Sequence, residues 1–170
     1  MDFQTLARER YSVRSFRDEP VTREITDKIL DAALAAPTAC NRQPFRITVV
    51  RSAEGMARFH RCTVRRFDAP MAMIVSCDPG ADWVRPFDGK HSGEIDAAIV
   101  ATHLMLAAAE LGVGSTWVMH FDPAAVKTAF ALPAGFEPVV LLPMGYAAED
   151  ARPSPMHSSF RPRADVVTEA

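Results

Sequence analysis

The sequence predicts an α+β fold in which helices surround a mixed β-sheet. Three observations carry this. Several stretches keep apolar residues at helical spacing, as Ile25, Ile29, Leu30 and Ala33 do. Short β-branched or apolar runs stand between them: FRITVV at 45–50, MAMIVSC at 71–77 and FEPVVLLPMGY at 136–146. One long segment, Gly93 to Leu111, is alanine-rich and apolar nearly all round, the mark of a helix buried on most sides.

Taken in order, residues Asp2 to Arg10 read as a short helix anchored by Phe3 and Leu6. Tyr11 to Glu19 alternates apolar and polar residues and is expected to be extended. Thr22 is a good N-cap, and Glu24 suits the first turn of the helix that Pro37 ends. The strand at 45–50 follows, then a helix over Ser52 to Arg61, then the strand at 71–77. Asp78 to Lys90 is a loop rich in Pro, Gly and Asp. After the long helix, Gly112 and Gly114 bracket a turn into a short strand, Ser115 to Met119. Asp122-Pro123 opens another helix, with Asp as cap and Pro at its first position. Pro138 and Pro143 place the last strand at an edge or beside a bulge. The tail from Ala147 is too polar for a core.

With 170 residues and 48% hydrophobic content, the chain suits a single domain over 1–170. A monomer of this size buries a modest share of its surface, so a second subunit is a natural cover for the alanine-rich helix. The alternative is a helix wrapped by its own domain. The net charge of −2 with mixed signs speaks against nucleic acid as a partner. No apolar run has the hydrophobicity of a membrane span, and the charged MDFQTLARER start does not read as a signal peptide. Cys40, Cys62 and Cys77 follow neither disulfide nor zinc spacing and suit a reducing, cytoplasmic compartment.

Four clusters could carry chemistry. In an extended Arg10-Tyr11-Ser12-Val13-Arg14, residues 10, 12 and 14 share one face. That face can hold a phosphate and reach a second anionic group about 7 Å further along. Spacing alone also fits a solvated edge strand with two ordinary surface arginines, the plainer reading. Pro37-Thr38-Ala39-Cys40-Asn41-Arg42-Gln43-Pro44 offers the amides of Asn41 and Gln43 to a polar ring edge, or to its own backbone. Gly112 to His120 includes Trp117, Val118, Met119 and His120, and matches neither a P-loop nor a dinucleotide fingerprint. Arg161 and Arg163 in the tail could close on a phosphate or lie free on the surface. Metal spacing and a serine-nucleophile elbow are both missing. His103 reads as a buried, hydrogen-bonded histidine.

Together these clusters resemble the nitroreductase family of flavoproteins. Arg10, Ser12, Arg14 and Phe16 match its opening R-x-S-x-R-x-F signature. Ala36, Pro37, Thr38, Asn41, Gln43 and Pro44 match A-P-T/S-x-x-N-x-Q-P. Leu111 to Trp117 matches L-G-x-G-S-x-W after a long helix, and Gly145-Tyr146 with Arg161 fits the closing pattern. The resemblance spans nearly the whole chain and places it in the compact branch. It implies FMN held at an interface between two subunits that exchange their C-terminal arms. Arg10 and Ser12 would bind the phosphate, with Tyr11 between them in place of a second basic residue. Arg14 would lie by the pyrimidine. Pro37, Thr38, Ala39, Asn41 and Gln43 would reach the flavin from the opposite subunit. The stretch Trp117, Val118, Met119 and His120 would face the N5 side, and Arg161 or Arg163 would complete the phosphate site. Met119 and His120 replace a glutamate and glycine found in several relatives. NADH or NADPH would donate hydride, and an oxidised small molecule would accept electrons. The resemblance also leaves open dehalogenase or ene-reductase chemistry and a non-catalytic flavin-binding role.

Overall fold

The protein is described from a computed structural model, covering residues 2–65 and 67–170. Among the described residues, two helices open the chain and strands then alternate with helices: α1 (Phe3–Glu9), α2 (Arg23–Leu34), β1 (Phe45–Val50), α3 (Ala53–Cys62), β2 (Met71–Cys77), α4 (Gly93–Glu110), β3 (Gly114–Ser115), α5 (Pro123–Phe130) and β4 (Glu137–Gly145). The caps are local. Asp2, Thr22, Ser52 and Asp122 each accept a backbone N–H of the first turn through a side-chain oxygen. Leu6 alone anchors α1 in the core, and Phe3 is exposed.

The sheet order is β1-β2-β4-β3, and every ladder is antiparallel. A parallel bridge, Ser12 to Ser115, adds the 10–16 segment at the outer edge of β3. Strand β2 is buried along its whole length because both its faces are covered. Met71, Met73, Val75 and Cys77 face α2 and α4, whereas Ala72 and Ile74 face α3 and α5. The result is a helix pair on each side of one sheet.

Of the two settings the prolines offered for β4, an edge or a bulge, the bulge is found: the strand is interior, and Val75 pairs Val140 while Ser76 pairs Pro138. One expectation is corrected here. Strand β3 stops at Ser115 rather than Met119. The Thr116 N–H donates to the Pro143 carbonyl at 3.2 Å, and proline has no N–H to return the bond. Pairing resumes at Val118, which exchanges both bonds with Leu141.

Helix α4 buries Ala97, Val100, Ala101, Leu104 and Ala108 in the chain's own core. Its other side carries Ile95, half exposed, with exposed Thr102 and half-buried Leu106 at helical spacing beside it and Ile99 between them, itself packed partly against the core. Any subunit contact through α4 would therefore use that outer stripe and not Ala101 or Ala108. Among the described residues, no helix is long and apolar enough to cross a membrane.

Candidate functional site

Two adjoining segments build the site. The Val13 N–H donates to the Ser115 carbonyl at 3.0 Å, which draws residues 10–14 alongside 112–116. Gly114 is required for this approach, because a Cβ there would lie 2.6 Å from Val13 Cγ2. Gly112 turns the chain out of α4 with φ +76°. Gly114→Ala should therefore push the two segments apart and cost about 1–3 kcal/mol, lowering Tm by several degrees in a thermal melt. An unchanged Tm would show that the contact relaxes freely.

Two hollows open along these segments. The first, about 230 Å³, is lined by Leu6, Glu9, Arg10, Tyr11 and Val13, by residues 112–115 and by Ala109 and Ala147, so one carboxylate shares it with the Arg10 guanidinium. The second, about 310 Å³, is lined by Arg14, Arg65, Phe67 and the run Thr116, Trp117, Val118, Met119 and His120. Thr116 and Val118 spend their N–H groups on β4. In extended chain the alternate amides, those of Trp117 and Met119, face the other way. Arg14 bonds only the Ser12 carbonyl, at 3.4 Å, and no carboxylate lines the second hollow among the described residues.

Arg65 and Phe67 were not legible as site residues; their only sequence signal is a basic pair ahead of β2. Buried Thr63 fixes them: its hydroxyl donates to the His120 carbonyl at 2.6 Å and accepts the Arg65 N–H at 2.9 Å. The segment after α3 is thereby pinned to the 119–121 stretch.

The 37–44 loop lies elsewhere. Cys40, Asn41 and Gln43 all have positive φ, near +50°, in a loop without glycine. Left-handed non-glycine residues cost on the order of 1–3 kcal/mol each, less for asparagine, and concentrate at functional sites. The Gln43 N–H bonds Thr38 Oγ1 at 3.0 Å, and Gln43 Nε2 donates to Asn41 Oδ1 at 3.0 Å. Ala39 is tied to Asp96 at the start of α4, while the first hollow includes Ala109 near its end. These two points lie about 20 Å apart along the helix. Thus Pro37, Thr38, Ala39, Asn41 and Gln43 line neither hollow of their own chain.

Arg161 and Arg163 line neither hollow either; both are exposed, and Arg161 donates to the Asp165 carbonyl at 3.3 Å. The start of the tail does return to the site. The Ala148 N–H bonds the Ser15 carbonyl at 3.0 Å, and His157 packs edge-on against Tyr11, ring centres 6.2 Å apart. No cluster of three metal-ligating side chains occurs among the described residues.

The three thiols differ sharply in setting. Burial pushes Cys77 up to about 11, and Cys62 is raised for the same reason. Cys40 is exposed on the strained loop. Iodoacetamide at about pH 8 should therefore modify Cys40 in the native apoprotein and spare the other two, because the thiolate is the nucleophile. Peptide mass mapping would show this, and native labelling of Cys77 would contradict it. Because the Cys77 value is raised above 9.0, its stability contribution is complete below that pH and is lost on rising towards about 11.

Comparison with known proteins agrees with the geometry. The model of the nitroreductase family matches residues 7–70 and 65–146. The chain belongs to the nitroreductase family. It is 30% identical to an NADH dehydrogenase of Thermus thermophilus, over 91% of each chain. It is 40% identical to a nitroreductase family protein of Clostridium difficile 630, with TM-score 0.92 over 99% of this chain and 98% of that one. An FMN-dependent nitroreductase of Clostridium difficile R20291 shares the fold at 23% identity, with TM-score 0.82 over 99% of each chain.

Proposed function

We propose that the chain is an FMN-dependent NAD(P)H oxidoreductase that works as a homodimer and reduces an oxidised small molecule such as a nitroaromatic or quinone. The observation that carries this is the pair of adjoining hollows, one with Arg10 and the other with Arg14 beside an outward-facing backbone edge at Trp117–Met119. The residues fit FMN. A guanidinium serves the phosphate end, a second cationic hollow has an aromatic wall, and bare N–H groups can meet a polar ring edge. The FMN dependence of the Clostridium difficile R20291 relative and the name of the Thermus relative support the same cofactor and donor.

FMN, when bound, supplies hydride chemistry at N5, taking electrons from NADH or NADPH and giving them to the acceptor. Arg10 would hold the phosphate, joined by Ser12, which the resemblance assigns to it although Ser12 lines neither hollow. Arg14, with Arg65 in the same hollow, would place positive charge where negative charge builds on reduction. Trp117 and Met119 would offer their amides to the ring edge, and the exposed His120 also lines the hollow. No protein nucleophile is needed.

Placement supports the proposed dimer. The 37–44 loop sits at one end of α4 and the Arg10 hollow at the other. Two chains packed antiparallel through the outer stripe of α4 would bring the loop of one to the hollow of its partner. The exposed tail beyond Ser158 would wrap the neighbour and carry Arg161 or Arg163 towards its phosphate.

The test is a cofactor competition followed by an acceptor screen. Apoprotein should take up FMN in preference to riboflavin, because the phosphate is held by charge. The loaded enzyme should oxidise NADH or NADPH when given a quinone or nitroarene. Equal retention of riboflavin would contradict the phosphate site. Tight FMN binding without turnover would point instead to a flavin-binding protein that is not an enzyme.

A further inference from the structure

We propose that Asp96 is a positioning residue whose buried carboxylate holds the 38–43 loop in its left-handed conformation and so sets where Asn41 and Gln43 point. Asp96 is 2% exposed, in the first turn of α4. One oxygen, Oδ1, accepts the Ala39 N–H at 2.9 Å, and Oδ2 accepts the Ser92 hydroxyl at 2.8 Å. Ser92 Oγ in turn accepts the Trp83 N–H at 3.2 Å. Among the described residues Asp96 makes no ion pair. A buried carboxylate without a cation is costly, and only the dipole of α4 and these donors offset it. What the carboxylate supplies here, and an apolar side chain would not, is an acceptor for the amide that precedes the left-handed residues.

A second buried carboxylate braces the far side. Asp82 Oδ2 accepts the Gly93 N–H at 2.8 Å, and Oδ1 pairs with His91 Nδ1 at 2.8 Å. The Asp82 carbonyl accepts Arg42 Nη1 at 3.2 Å, and Asp78 N–H bonds the Pro44 carbonyl at 2.8 Å. The loop is thus held before its strained residues by Asp96 and within and after them by the 78–82 segment. None of these partners is near it in sequence, and none has a role in either hollow. The functional consequence rests on the reading above that the loop faces a flavin held by the partner chain.

The test compares Asp96→Ala, Asp96→Asn and Val126→Ala in the apo and FMN-loaded protein. Val126 is a core position on the opposite side of the sheet and reports general destabilisation. Amide exchange across residues 39–43, FMN affinity and the flavin spectrum are read together. Asp96→Ala should speed loop exchange and weaken FMN, each by about tenfold. Asp96→Asn keeps an acceptor for Ala39 and should restore both to within about threefold. Val126→Ala should lower Tm and leave loop exchange as it was. Should the alanine variant not fold, Asp96→Ser, too short to reach Ala39, carries the same expectation. Unchanged loop exchange would overturn the proposal. A freed loop with unchanged FMN affinity and spectrum would uphold the clamp and overturn the reading that the loop faces the flavin.

Discussion

Arg10→Ala is expected to weaken FMN binding by about ten- to a hundredfold, the loss that follows when a charge-assisted contact to a phosphate is removed. Arg10 lines the hollow at the end of α1, away from Arg14. Its loss should therefore leave the ring environment, and with it the midpoint potential, nearly as before. Arg14→Ala should do the reverse. It removes positive charge from the hollow that holds Trp117 to His120, so the midpoint potential should fall and hydride uptake slow, with a smaller loss of FMN. Equilibrium dialysis and a redox titration on both variants check the division. Equal FMN affinities with unchanged potentials would contradict it.

Leu106→Lys is expected to abolish the dimer and flavin binding together while leaving the chain folded. Leu106 belongs to the outer stripe of α4 with Ile95, Ile99 and Thr102. A charge there faces the proposed partner, where an obligate interface of about 2,000–5,000 Å² would have to bury it. Ala101→Lys is the contrasting case. Ala101 is fully buried in the chain's own core, so a charge there should unfold the protein outright. Sedimentation and circular dichroism separate the two: a folded, colourless monomer for Leu106→Lys, an unfolded chain for Ala101→Lys. Wild-type Tm should also rise with protein concentration and with added FMN. A Leu106→Lys variant that remains a yellow dimer would remove α4 from the interface.

Much of this architecture was legible in the sequence because its signals are local. The strands at 45–50 and 71–77 announce themselves by β-branched and apolar runs, and Thr22 and Asp122 by capping chemistry. What escaped depends on distant partners. Periodicity says that α4 is apolar on every side, but only the packed chain shows that Ala101 and Ala108 face inward. Proline in β4 leaves an edge and a bulge both open, because the bulge that accommodates it is a property of the pair. The strain at Cys40, Asn41 and Gln43 has no glycine to advertise it. Arg65 enters the second hollow only because Thr63 is bonded to His120, and Asp96 meets Ala39 only because α4 starts beside that loop. The candidate site was readable as a set of segments, and the structure supplies which segments share a hollow.

The central claim is that these hollows hold an FMN that accepts hydride from a nicotinamide donor and passes electrons on. Anaerobic rapid mixing of the flavin-loaded protein with NADH, and separately NADPH, tests it most directly, with absorbance followed at the flavin band. The account predicts fast bleaching by at least one donor, then full recovery of colour on adding a quinone or nitroarene. Protein that stays colourless with added FMN, or holds FMN that neither donor bleaches, would contradict it.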